Sequence, residues 1–126
     1  MNSTFTKIIR IVLGVLLIPF GLSQFIDFNI LPTHIYTGEA AIFIDSLSST
    51  GYFLKLVGML EIIVGVLLLA NKWVAFALLL LAPISINILL FHLFLDIPGL
   101  YMALVVVILN TILIYKSWKV YRPLFH

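Results

Sequence analysis

Charged residues fall along this chain as punctuation between apolar runs. Ile11–Ile26 carries no charge and is bounded by Arg10 and Asp27. Leu54–Ala70 holds only Lys55 at its edge and Glu61 inside, while Trp73–Leu95 and Ile97–Tyr115 hold none. A spanning helix needs roughly 17–25 mostly apolar residues, and the last three runs meet that directly. The first is slightly short, but the stems of Lys7 and Arg10 can snorkel and extend it toward Thr4. Asn71-Lys72, and Asp96 with Pro98-Gly99, mark turns too tight for anything but antiparallel neighbours. The pattern predicts one all-α domain over residues 1–126, an antiparallel four-helix transmembrane bundle. Its spans lie near 8–27, 53–70, 73–95 and 99–118. In the first outer loop, Glu39, Ile42, Phe43, Asp45 and Leu47 leave two readings open: a short interfacial helix over the bundle's mouth, or an irregular loop with buried anchors.

Composition sharpens the membrane assignment. The chain is 63% hydrophobic and 10% charged, with a mean hydropathy of +1.26. A soluble domain runs near 45–50% apolar and about 25% charged, and a domain this small has too little interior to hide the excess. Cysteine is absent, which removes disulfides, thiol nucleophiles, thiolate metal sites and dithiol exchange. No metal site is expected. The net charge of +2 comes from scattered basic residues at the ends of apolar runs, which form no patch for nucleic acid.

Those basic residues orient the chain instead. Lys7, Arg10, Lys72, Lys116, Lys119 and Arg122 fall on one side of a four-pass path, and Lys55 alone falls on the other with Asp27, Glu39, Asp45 and Asp96. This bias places both termini in the cytoplasm. The first run is a span rather than a cleaved signal, since no Ala-x-Ala-like site follows it.

Polar groups within hydrocarbon are expensive and default to functional candidates. Glu61, Asn87 and Asn110 each lie about ten residues from the expected outer ends, roughly 13–17 Å deep at 1.5 Å per residue. Gln24 and His92 lie nearer the surface, roughly 5–6 Å in by the same rise. The expected site is therefore a Glu/Asn/Asn layer beneath a Gln/His layer, opening outward. Gly58, Glu61 and Gly65 share one helical stripe, and Gly14 with Gly21 repeats the small-residue device on the first span. Asn87 and His92 are five residues apart and diverge by about 140° at ~100° per residue, while Pro83, one turn before Asn87, breaks the regular backbone bonding there. The competing reading makes these groups interhelical glue, with Glu61 a protonated acid bonding Asn87 or Asn110.

The order of motifs is more specific than any one of them. Arg10-x-x-x-Gly14 and Phe20-Gly21-Leu22-x-x-Phe25 lead to Thr50-Gly51-Tyr52-Phe53 and Leu60-Glu61-Ile62-x-x-Gly65. Ala82-Pro83-Ile84-x-x-Asn87, Phe91-His92-x-Phe94-Leu95 and Tyr121-Arg122-Pro123-Leu124-Phe125 follow. Across nearly the whole chain this resembles the DoxX-like family of small four-helix bacterial membrane proteins. The resemblance implies a place in the bacterial cytoplasmic membrane and an association with quinone-linked oxidation. It carries Glu61, Asn87 and His92 over as site positions. Many members of that family have no assigned activity, and Gln24 stands where relatives often carry a basic residue.

Three functions follow as expectations. The first is an accessory subunit that binds a quinone or another membrane lipid beside a redox partner protein. Its ligand set is Glu61, Asn87, His92, Gln24 and Asn110, and it has no intrinsic cofactor, since the chain holds no flavin or dinucleotide fingerprint. Quinone carbonyls need a donor, and a carboxyl or imidazole can exchange the accompanying proton. The second is a small proton-coupled transporter working through Glu61. The third is a structural or assembly protein without a ligand. The sequence leaves open whether the chain is an enzyme and assigns no catalytic residue.

Overall fold

The computed structural model describes residues 4–25 and 37–125. Its long helices are α1 (Thr4–Leu22), α3 (Phe53–Ala70), α4 (Val74–Phe94) and α5 (Leu100–Lys116). A shorter α2 (Gly38–Ser49) precedes α3, and a one-turn α6 (Trp118–Tyr121) follows α5. Each long helix is long and apolar enough to cross a bilayer, α5 together with the 3-10 turn Ile97–Gly99 that leads into it. At most 39% of any span's most apolar window is buried, so most of each span faces outward. The outward residues are apolar, among them Val15, Ile63, Val66, Phe76, Ile86 and Ile108. Only hydrocarbon accepts such a surface. The chain is a multi-pass membrane protein.

α1 packs on α3, α3 on α4, α4 on α5, and α5 returns to α1, closing a ring of antiparallel neighbours. Leu13, Leu17, Val64, Leu68, Leu78, Leu81 and Leu113 fill its centre. Lipid tails are as apolar as these side chains, so the helices are held by close contact and interhelical hydrogen bonds rather than by flight from water. The closest contact is between α1 and α3. A Cβ on Gly21 would lie 2.5 Å from the Gly58 carbonyl oxygen, and one on Gly58 would lie 2.7 Å from the Gly21 oxygen. Seven residues along, Gly14 and Gly65 repeat the arrangement at 3.1 and 3.0 Å. Four glycines in two facing pairs therefore set two backbones against each other.

The same seam is locked at its basic end. Arg10 is buried, and its guanidinium donates to the Leu68 carbonyl near the end of α3, where a cation meets the negative end of the helix. α3 stops in a Schellman turn: Lys72 N–H reaches the Leu67 oxygen and Asn71 N–H the Leu68 oxygen. Asn71 and Trp73 both take left-handed backbone, at φ 55° and 51°. Asn tolerates that conformation, but the bulky Trp73 is strained by it. Across the bundle, Tyr121 folds α6 back, and its hydroxyl donates to the Ala75 carbonyl at 2.7 Å. Burial pushes the Tyr121 phenol from its ordinary 10.0 up to about 12.

α1 begins at Thr4 rather than near residue 8, and its helix closes at Leu22 rather than 27. At the start, Arg10 lies inside the bundle and does not mark the helix edge. At the close, Pro19 supplies no N–H to the turn before it, and the chain tightens into three-residue bonds. Gln24 N–H reaches the Gly21 oxygen and Phe25 N–H the Leu22 oxygen, while the Ser23 hydroxyl donates to Phe20. Positions 26 and 27 lie outside the described residues. The other spans match their expected ranges to within a residue or two. The expected interfacial segment is a helix: α2 buries Ala40 and sets Phe43 against Phe91 of α4, ring centres 5.5 Å apart.

Two outcomes follow. Gly21→Ala, which drives a methyl into backbone, should lower stability by about 1–3 kcal/mol in detergent thermal or SDS unfolding. An equal effect from Val15→Ala, at an outward position, would deny the seam its role. Tyr121 should contribute stability that is intact below pH 10 and lost as pH rises from 10 toward 12, because the unfolded phenol ionises first. Comparing Tyr121→Phe with the parent chain across that window isolates the term, and identical pH profiles would contradict it.

Candidate functional site

Glu61 lies in the stripe that α3 buries, between Gly58 and Gly65, and is 6% exposed. The facing pairs Gly21–Gly58 and Gly14–Gly65 bracket it at the level of Leu17 and Ile18 on α1, near mid-span. Its Oε2 is enclosed and has no hydrogen-bond partner among the described residues. In hydrocarbon a polar oxygen left so is costly, because no water can replace the missing partner. Gln24 packs its Cβ and Cγ against Gly58, one turn outward of Glu61. The seam thus places the acid and the amide on adjacent turns.

The other three candidates are engaged elsewhere. Asn110 is buried and spans α4 and α5: its Oδ1 accepts from the Ser85 hydroxyl at 3.2 Å, and its Nδ2 donates to the Leu78 carbonyl at 3.3 Å. This is the interhelical glue of the competing reading, with Ser85 rather than Glu61 as partner. Asn87 does not join the deep layer. It is exposed on the outer face of α4, and its Nδ2 donates to the Pro83 carbonyl of its own helix at 2.8 Å. α4 continues through Pro83. Asn87 and His92 accordingly stand on different faces, as their five-residue spacing predicts.

His92 is half-buried at the end of α4. Its Nδ1 lies 2.9 Å from Asp96 Oδ2 and 3.1 Å from the Asp96 carbonyl. Both oxygens accept, so a neutral ring carries its proton on Nδ1 and leaves Nε2 as an acceptor. Gly99 makes the arrangement possible, since a Cβ there would lie 2.6 Å from both Asp96 Oδ2 and His92 Cε1. Phe91, on which Phe43 of α2 rests, lies beside the imidazole with ring centres 5.1 Å apart.

Two of the residues in these contacts went unmarked in the sequence. Ser85 is a small polar residue at depth, and its place four residues from Leu81 and seven from Leu78 is the signal that could have put it on the buried face of α4. Asp96 was read as a turn and outer-side charge, and its i,i+4 relation to His92 was the available clue. Comparison with known protein families, curated proteins and solved structures finds no match to this chain.

Asn110→Leu should destabilise the bundle by about 0.6–1.7 kcal/mol, and coupling to Ser85→Ala in a double-mutant cycle should recover most of that. Asn87→Leu should change stability by less than about 0.5 kcal/mol, as for an outward position away from packed contacts. A larger loss from Asn87→Leu than from Asn110→Leu would reverse the assignment.

Proposed function

We propose that the protein is a membrane-embedded binding subunit that holds a quinone or similar isoprenoid carbonyl compound against Glu61, next to a redox partner protein. The observation that carries the reading is the enclosed carboxyl oxygen of Glu61, which has no hydrogen-bond partner among the described residues. Asn110, at comparable depth, has both ends of its amide satisfied inside the fold. A protonated Glu61 donates one hydrogen bond to a ligand carbonyl. Gln24, one turn outward, offers a second donor on the path to the surface. His92, with Nε2 as acceptor, stands at the outer end as a proton-exchanging group. Asn87 has no part in this site.

The quinone class is supported by the resemblance to DoxX-like proteins and by the membrane location of the acid. The chain binds and positions; the partner supplies electrons. The charge bias supports cytoplasmic termini, with Gln24, α2 and His92 facing outward, and the resemblance supports a bacterial membrane.

Mass spectrometry of small molecules extracted from gently purified protein should find an isoprenoid quinone. Glu61→Leu should lower its occupancy about tenfold, the worth of one buried hydrogen bond. Glu61→Gln keeps a donor and should retain most of the ligand while losing proton exchange. An empty extract, or occupancy unchanged in a folded Glu61→Leu, would overturn the reading. Proton-driven flux in liposomes abolished by Glu61→Gln would assign the acid to transport instead.

A further inference from the structure

We propose a second site, at the basic end of the bundle, that binds the phosphate of an anionic membrane lipid where the start of α4 meets the end of α5. Two hollows of about 460 and 540 Å³ open there, and Lys116 and Lys119 line both. None of the polar residues of the Glu61 region lines either, so this site stands independently of the quinone reading.

Three observations converge on an anion. Lys116, Lys119 and Arg122 put three cations around the hollows, and no acidic residue lines either of them. Ser117 lines the first hollow and is 5% exposed, yet its Oγ has no hydrogen-bond partner among the described residues. Its N–H is already bonded to the Leu113 and Ile114 carbonyls, so the hydroxyl is the group left to donate. Val74 and Ala75, the first residues of α4, line the same hollow. α4 has no side-chain cap at that end, so the positive end of a long helix faces the hollow that the cationic side chains line.

The height of the site selects a lipid over a soluble phosphate. Lys116 ends the last span, and Tyr115 and Trp118, which line the second hollow, are the residue types that sit at headgroup level. Basic pockets between spanning helices at this depth take lipid headgroups. Val74 and the exposed Val120, which line the first hollow, give the acyl chains an apolar wall.

The test is native mass spectrometry of the 126-residue chain in mild detergent, titrated with phosphatidylglycerol or phosphatidylcholine of matched acyl chains. Phosphatidylglycerol should be retained at least about tenfold better. Lys119→Gln and Arg122→Gln should each weaken it about fivefold. Ser117→Ala should weaken it about threefold to tenfold, with helical circular dichroism unchanged. Lys7→Gln, which removes a cation at the same end but outside the hollows, should leave it unaltered. Equal retention of the two lipids, or a loss from Lys7→Gln as large as from Lys119→Gln, would overturn the site. Displacement of phosphatidylglycerol by millimolar inorganic phosphate would likewise overturn it, in favour of a soluble anion.

Discussion

The carbonyl oxygens of Gly21 and Gly58 each occupy space that a side chain on the other residue would need. This mutual exclusion fixes the distance between α1 and α3, and with it the register of the bundle. Two helices that approach by backbone cannot slide by a residue without driving a side chain into a carbonyl. The Gly14–Gly65 pair repeats the constraint two turns away, so tilt is fixed as well as spacing. Arg10 on the Leu68 carbonyl then closes the seam at the end where water returns.

A seam so tight has a chemical consequence. Glu61 sits between the two glycine pairs, where the helices are held closest, and so cannot swing out to the interface as a longer-tethered carboxylate would. Its stripe is fixed by Gly58 and Gly65, and its Oε2 is enclosed with no hydrogen-bond partner among the described residues. On the other side of the ring, α4 and α5 are joined by hydrogen bonds rather than glycines, and there the polar groups satisfy each other. The bundle is built from two kinds of helix contact, one apolar and close, one polar and complete, with the unsatisfied acid in the former.

Much of the architecture was legible because charge punctuates apolar runs, and a run's length against bilayer thickness needs no knowledge of packing. The faces were not legible to the same degree. A helix in water announces its buried side by an apolar stripe; a helix in lipid is apolar all round, so position alone does not tell Ser85, which is buried, from Asn87, which is exposed. Gly58, Glu61 and Gly65 were placed correctly because small residues mark close approach. Amide polarity marks Asn87 as interior in the sequence, whereas the residue is exposed and its amide bonds to the Pro83 carbonyl of its own helix. Arg10 misled in the opposite sense: read as the edge of a span, it lies inside the bundle on the carbonyl it caps.

The two ends of the molecule now divide the remaining polarity in a way that packing alone does not demand. At the end opposite the basic one, His92 and Asp96 are paired, and α2 covers the neighbouring Phe91 through Phe43. At the basic end, Ser117 is buried without a partner among the described residues, beside three cations and the uncapped start of α4. If every polar side chain served only to hold helices together, the unsatisfied ones would have no reason to gather where a ligand of matching chemistry is at hand. Glu61 is enclosed between α1 and α3 near mid-span, and its Oε2 has no partner among the described residues. Ser117 stands at the headgroup layer, where phosphate is. On the two proposed readings, each of these groups stands in the layer that supplies its ligand, a carbonyl compound at mid-span and a phosphate at the headgroups. That sets them apart from Asn110 and Ser85, whose hydrogen bonds join helices.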